Sequence, residues 1–140
     1  ESGASAIALP FDGLRLTFSI SYTHPMITNQ LFDTEVTPDS YAREIAPART
    51  YGFIEEVEPL LKSGLAKGAS FDNAVVIYPD RYSCGLRFED EPVRHKAADM
   101  IGDISLAGRR LRGHFIGIKS GHALNGALVR DIISRATATQ

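Results

Sequence analysis

His95, Asp99 and Asp103 stand four residues apart in a stretch that reads as a helix, so they stack on one line of its surface. Val93, Ala97, Met100, Ile101 and Ile104 form the apolar arc of the same stretch, and the polar line lies roughly 140° from its centre. These three side chains are therefore expected outside the chain's own core. Gly102 beside them leaves room for a group to approach the backbone. A solvated acidic helix face is one reading. The sharper one is a metal site, because His and Asp four apart project to one point as two of the ligands a catalytic zinc needs. A carboxylate one turn further on then orients a ligand or a catalytic group.

Lys119-Ser120-Gly121-His122 adds a second cluster. A small-residue turn sets Lys119 and His122 at a helix N-terminus, where amides and the macrodipole favour an anion. That dipole disfavours a charged imidazole, whereas a nearby carboxylate such as Asp103 favours one. A satisfied structural histidine is the alternative. His24 before a proline and His114 after a glycine read as turn residues.

Several elements must position these groups. Leu14, Leu16, Phe18, Ile20 and Tyr22 alternate with polar residues, a half-buried strand ended by the turn His24-Pro25. Residues 30–36 read as a second strand, and Thr37-Pro38-Asp39 as the cap and first turn of a short helix to Ile45. A helix is expected over 55–63, closed by Gly64. Residues 74–78 read as a strand, 92–107 as the helix carrying His95, and 115–118 as a further strand. Ser120 is expected to cap a last helix to about Ser134. In that helix Leu124, Ala127, Leu128, Val129, Ile132 and Ile133 spread over roughly two-thirds of the circumference. Such a helix is either central in its own domain or covered by a second layer that this chain does not supply. Strands and helices interleave without regular crossover units, which gives an α+β class with helices on one face of a sheet.

The chain has 140 residues, one ordinary domain. Hydrophobic residues at 44% and charged residues at 23% mark a globular protein rather than a disordered one. No apolar run approaches the roughly 20 residues of a membrane helix. A net charge of −2 argues against a dedicated nucleic-acid binder, and Arg109-Arg110-Leu111-Arg112 reads as a solvated turn. The single Cys84 excludes an internal disulfide and a four-cysteine zinc site, and fits a reducing compartment. Residues 1–10 are expected as an interior linker to a longer protein, 11–135 as the domain, and 136–140 as a frayed tail.

Taken together, the run from Leu86-Arg87-Phe88-Glu89-Asp90-Glu91-Pro92-Val93-Arg94-His95 to Asp103 and the run Lys119-Ser120-Gly121-His122-Ala123-Leu124-Asn125 are distinctive. They closely resemble the second half of UDP-3-O-acyl-N-acetylglucosamine deacetylase, a zinc hydrolase family of lipid A biosynthesis. Ile45 to Phe53, with Pro47-Ala48-Arg49-Thr50, and Gly68 to Ala74 look like two further segments of that family. The likeness spans nearly all of the chain after its opening stretch.

The resemblance implies two similar α+β domains whose helical layers face each other, with zinc and substrate between them. His95 and Asp99 would be zinc ligands, and Asp103 would orient a catalytic His122. Thr50 would hydrogen-bond the developing oxyanion. Lys96 and Lys119 would meet the sugar and diphosphate, and Tyr22 the uracil. Tyr51, Phe53 and the stretch from Ala69 to Val76 would border an acyl-chain passage. The resemblance also implies a cytoplasmic location.

Nothing here matches the family's His-rich first-domain motif, which supplies the third zinc ligand and a glutamate base. The chain alone is therefore expected to bind metal weakly and hydrolyse nothing, with the first domain as its partner. Tyr51 replaces the family's usual phenylalanine. A non-catalytic relative that binds a nucleotide-sugar or a partner protein is the alternative.

Overall fold

The computed structural model describes residues 3–65, 68, 70 and 72–138. Six strands and four helices follow in the order β1 (Ser5–Leu9), β2 (Leu14–His24), β3 (Ile27–Glu35), α1 (Pro38–Ser40), β4 (Thr50–Phe53), α2 (Ile54–Lys62), β5 (Ala74–Ile77), α3 (Glu91–Ser105), β6 (Gly113–Ile118) and α4 (His122–Ala138). The class is α+β, as the interleaved patterns imply.

The main sheet has the order β1-β6-β2-β3, and a two-stranded sheet joins β4 and β5 in parallel. In β2 the alternation drives Leu16, Phe18 and Ile20 into the core, where they meet Phe32, Phe115 and Val93, Ala97, Met100 and Ile104 of α3. Gly117 of β6 permits that packing, because a Cβ there would lie 2.4 Å from the Phe18 ring. On the other face Arg15 donates to Asp33 at 2.6 Å, and Thr17 bonds His114 at 2.7 Å. Helices α3 and α4 thus share the apolar face of the sheet, and the opposite face carries polar pairs.

Three expectations need correction. The opening stretch read as a linker contains β1, which pairs antiparallel with β6 from Ser5↔Ile118 to Leu9↔His114. Its small residues carry no alternation of their own, and the neighbouring strand's unpaired backbone defines it. The expected tail is in part helical, since α4 runs to Ala138. Ser120 does not cap α4: its buried Oγ has no hydrogen-bond partner among the described residues, and the Gly121 carbonyl accepts from Leu124 and Asn125 at 3.0 and 2.9 Å.

The short helix after Thr37 is capped as expected, by a capping box between Thr37 and Ser40, but it continues as a π-helical turn over Tyr41–Ile45. Helix α4 is neither buried all round nor bare. Val129 is buried, while Leu124, Leu128, Ile132 and Ile133 are half-buried. No described helix is long and apolar enough to cross a membrane.

Candidate active site

Helix α3 carries the site on one edge, and two different devices hold its two ends. At the first end, the buried Glu91 carboxylate accepts from the backbone N–H and Nε of Arg49, at 2.9 and 2.8 Å, and from Arg49 Nη2 at 3.0 Å. It also accepts from the Arg87 backbone N–H at 2.7 Å. Burial alone would push the Glu91 carboxyl up, but these donors win and hold it below the ordinary range. The clamp fixes the chain at Arg49, between Ala48 and Thr50, against the start of α3.

Beside that clamp, His95 Nδ1 stands 3.4 Å from the Ala48 carbonyl. This orientation turns Nε2 toward Asp99, whose Oδ1 is 3.4 Å away. Burial lowers the pKa of His95, opposed by Asp99, and keeps the ring in the neutral form that ligates metals. Lys96 Nζ donates to the other Asp99 oxygen at 2.8 Å.

At the other end, His122 Nδ1 lies 3.0 Å from both oxygens of Asp103. Asp103 is buried between α3 and α4, against the expectation that the whole line lies outside the core. Its Oδ2 also accepts from Asn125 Nδ2 at 2.9 Å. The His122 side chain itself is 70% exposed. With Nδ1 turned to a carboxylate, its Nε2 is left on the exposed side of the ring.

The aromatic residues form a third group. Tyr22 and Tyr51 join hydroxyl to hydroxyl at 2.8 Å, and Phe53 stacks edge-on against Tyr22 with ring centres 5.1 Å apart. Burial, then the Tyr22 bond, raises the Tyr51 pKa far above its usual range, so its phenol stays neutral. Tyr22, Lys96 and Lys119 line one small cavity of about 100 Å³ with Ile20, Ser21 and Ser120. Lys119 reaches it from a left-handed backbone, at a φ of 49°.

Thr50 opens β4, is exposed, and sits two residues beyond the Ala48 carbonyl that orients His95. Nothing in the geometry joins it directly to His122. Of the proposed passage wall, Ala69 and Phe71 lie outside the described residues. Ala74 to Val76 belong to β5, and Val75 is buried.

Sequence reasoning gave no role to Arg49, Glu91 or Asn125. The clamp joins residues 42 apart, which no local pattern reveals. Asn125 stood in the sequence as the last residue of the run from Lys119, three positions past His122, with no role assigned to it.

His95 and Asp99 fit a metal as two adjacent donors, one imidazole nitrogen and one carboxylate. Among the described residues no group of three or more His, Cys, Asp or Glu side chains is arranged to hold one, so further donors must come from elsewhere.

On α3 an imidazole–carboxylate pair is followed one turn on by a carboxylate that holds a histidine of α4, an arrangement suited to metal-assisted hydrolysis. The family model for UDP-3-O-acyl N-acetylglycosamine deacetylase matches residues 1–134, and the chain belongs to that family. The UDP-3-O-acyl-N-acetylglucosamine deacetylase of Oleidesulfovibrio alaskensis is 52% identical, over 89% of this chain and 42% of that protein. Its namesake in Nitratidesulfovibrio vulgaris is 48% identical over 98% of this chain and 45% of its own. That of Alcanivorax borkumensis is 47% identical over 95% and 45%. The chain thus spans under half the length of the curated relatives it matches.

Proposed function

We propose that this chain, as residues 11–135 with the added strand β1, supplies the second half of the active site of a zinc-dependent cytoplasmic deacetylase. Its substrate is UDP-3-O-acyl-N-acetylglucosamine, from which it removes the N-acetyl group on the way to lipid A. The observation that carries this reading is that Asp103, one turn beyond Asp99 on α3, holds His122 of α4 at 3.0 Å, while His95 and Asp99 stand together earlier on the same helix. Membership of a family whose relatives bear that name supports it.

His95 and Asp99 hold the zinc together with a ligand from the first domain. Bound there, the metal supplies Lewis acidity toward the amide carbonyl. Asp103 fixes His122 so that its outer nitrogen stabilises the developing oxyanion or protonates the leaving amine. The Thr50 hydroxyl donates to the same oxyanion. Lys96 and Lys119 meet the sugar and diphosphate oxygens as point charges, beside Tyr22 for the uracil. Tyr51, Phe53 and the exposed apolar surface of α2, with Leu60 and Leu61, border the acyl chain. The general base and the remaining zinc ligand belong to the partner half.

The test is acetate release from UDP-3-O-acyl-N-acetylglucosamine by the zinc-loaded, full-length protein that carries this chain. Turnover is expected, and His122→Ala should lower it on the order of 10²–10³-fold while metal content stays constant. Absence of turnover in the wild-type protein at full zinc occupancy overturns the reading.

A further inference from the structure

A second concavity lies away from this site. It is a groove of about 900 Å³ at the far end of α3, lined by Gly13, Leu14, Ile101, Ile104, Ser105 and the turn from Gly108 to Arg112. From His95 to Ser105 the helix rises about 15 Å, so the groove is remote from the metal pair. Its floor is apolar and its rim is basic, with three arginines in four residues on a chain of net charge −2. Arg112 is paired with Asp12, whereas Arg109 and Arg110 are exposed and make no ion pair among the described residues. One turn before them stands Leu106, 75% exposed, the most exposed large apolar side chain among the described residues.

A solvated turn explains the arginines alone, but not the bare leucine one turn before them, beside the end of an open groove. An exposed apolar side chain close in sequence to two exposed cations suits an interface where apolar depth lies just below an anionic plane. A single free anion gains nothing from Leu106, and an acidic protein partner would bind whether or not lipid is present. We propose that this end of α3 is a peripheral docking surface for an anionic lipid bilayer. Leu106 enters the headgroup boundary, and Arg109 and Arg110 face lipid phosphates. Arg112 stays tied to Asp12 as a hinge for the turn. The surface is independent of the deacetylase reading, since it shares no residue with the site.

The experiment is flotation of the full-length protein with vesicles of phosphatidylcholine, with and without a minor share of phosphatidylglycerol. Binding is expected only with the anionic lipid and should weaken as salt rises. Each arginine near such a surface contributes about fivefold, so Arg109→Gln with Arg110→Gln should lower partitioning about 25-fold. Leu106→Ser should lower it several-fold with the salt dependence kept. All three positions are exposed, and an unchanged melting temperature confirms that the fold is intact. No lipid-dependent binding overturns the proposal, including the case in which the partner half covers the groove. So does binding that ignores the arginine changes. Displacement by inorganic phosphate with no effect of Leu106→Ser identifies a free-anion site and overturns it equally.

Discussion

The two ends of the α3 line use the same residue types and opposite environments. At the first end His95 is half-buried, oriented by a backbone carbonyl, and kept neutral by burial. At the second end His122 is exposed, and what is buried is its partner Asp103 together with Asn125. A ligand needs its lone pair free and its proton fixed, so the protein fixes the ring from the backbone side. An acid–base group needs an open nitrogen and a constant charge behind it, so the protein buries the carboxylate instead. One pair lies within a single helix turn and the other joins α3 to α4, and burial falls on the histidine in the first and on the carboxylate in the second.

The comparison breaks first at the metal. His95→Ala and Asp99→Ala each remove one of two donors, so both should strip zinc from the full-length protein almost completely. Metal analysis of the purified variants measures this, and full occupancy in either removes that residue from the ligand set. His122→Ala should leave the zinc in place, which separates the two ends directly.

The next largest effect concerns what holds the first end. Glu91→Gln leaves Arg49 charged and buried, at a cost of about 3–5 kcal/mol, read as a drop in melting temperature. Because the folded Glu91 carboxyl sits below its ordinary value of 4.5, the pair stabilises fully above that value. The contribution is then lost as pH falls through the depressed folded value. The wild-type melting curve should show this acid loss and Glu91→Gln should not. Equal slopes for both proteins would mean that the clamp carries no linked proton.

At the second end the corresponding support is Asn125. Its amide nitrogen must face Asp103, because an ionised carboxylate only accepts. Asn125→Ala removes a hydrogen bond to a charged group and should cost about 1–3 kcal/mol of stability. Turnover should fall about tenfold with metal content unchanged, as for other outer supports of a site. A loss of zinc instead would tie the two ends together.

This division also shows what the sequence made legible. Helix α3, its apolar arc and the polar line were readable, because the 3.6-residue period is a local signal. Strand β2 was readable from its alternation. Strands β1 and β4 were not: Ser5–Leu9 and Thr50–Phe53 are short, and each is defined by a partner distant in sequence. The His95–Asp99 and Asp103–His122 residues were visible by type and spacing. Their supports were not, since Ala48 acts through a backbone carbonyl, Arg49 and Glu91 meet across the fold, and Asn125 reaches Asp103 from a different helix. In α4 Val129 is buried while Leu124, Leu128, Ile132 and Ile133 are half-buried, so the face expected to meet a second layer is partly open.

The smallest effect lies between the two ends, at the Tyr22–Tyr51 bond. This contact ties β2 of the main sheet to β4 of the small one, at 2.8 Å. Tyr51→Phe keeps the ring and its edge-on contacts with Phe53 and His95 but deletes the hydroxyl. Tyr22 is half-buried and can turn to water, so the stability cost should be only about 0.5–1.5 kcal/mol. The functional reading is sharper than the stability one. Tyr22 shares its cavity with Lys96 and Lys119, so a loosened Tyr22 should raise KM for the UDP-sugar several-fold and leave kcat alone. Tyr22→Phe should do the same, and the double variant should be no worse than either single change, because both remove one shared bond. Additive losses would show that each hydroxyl has a separate partner in the bound complex. A fall in kcat would show that Tyr51 acts on the His95 end, whose ring centre is 6.3 Å from its own, rather than on the nucleotide end.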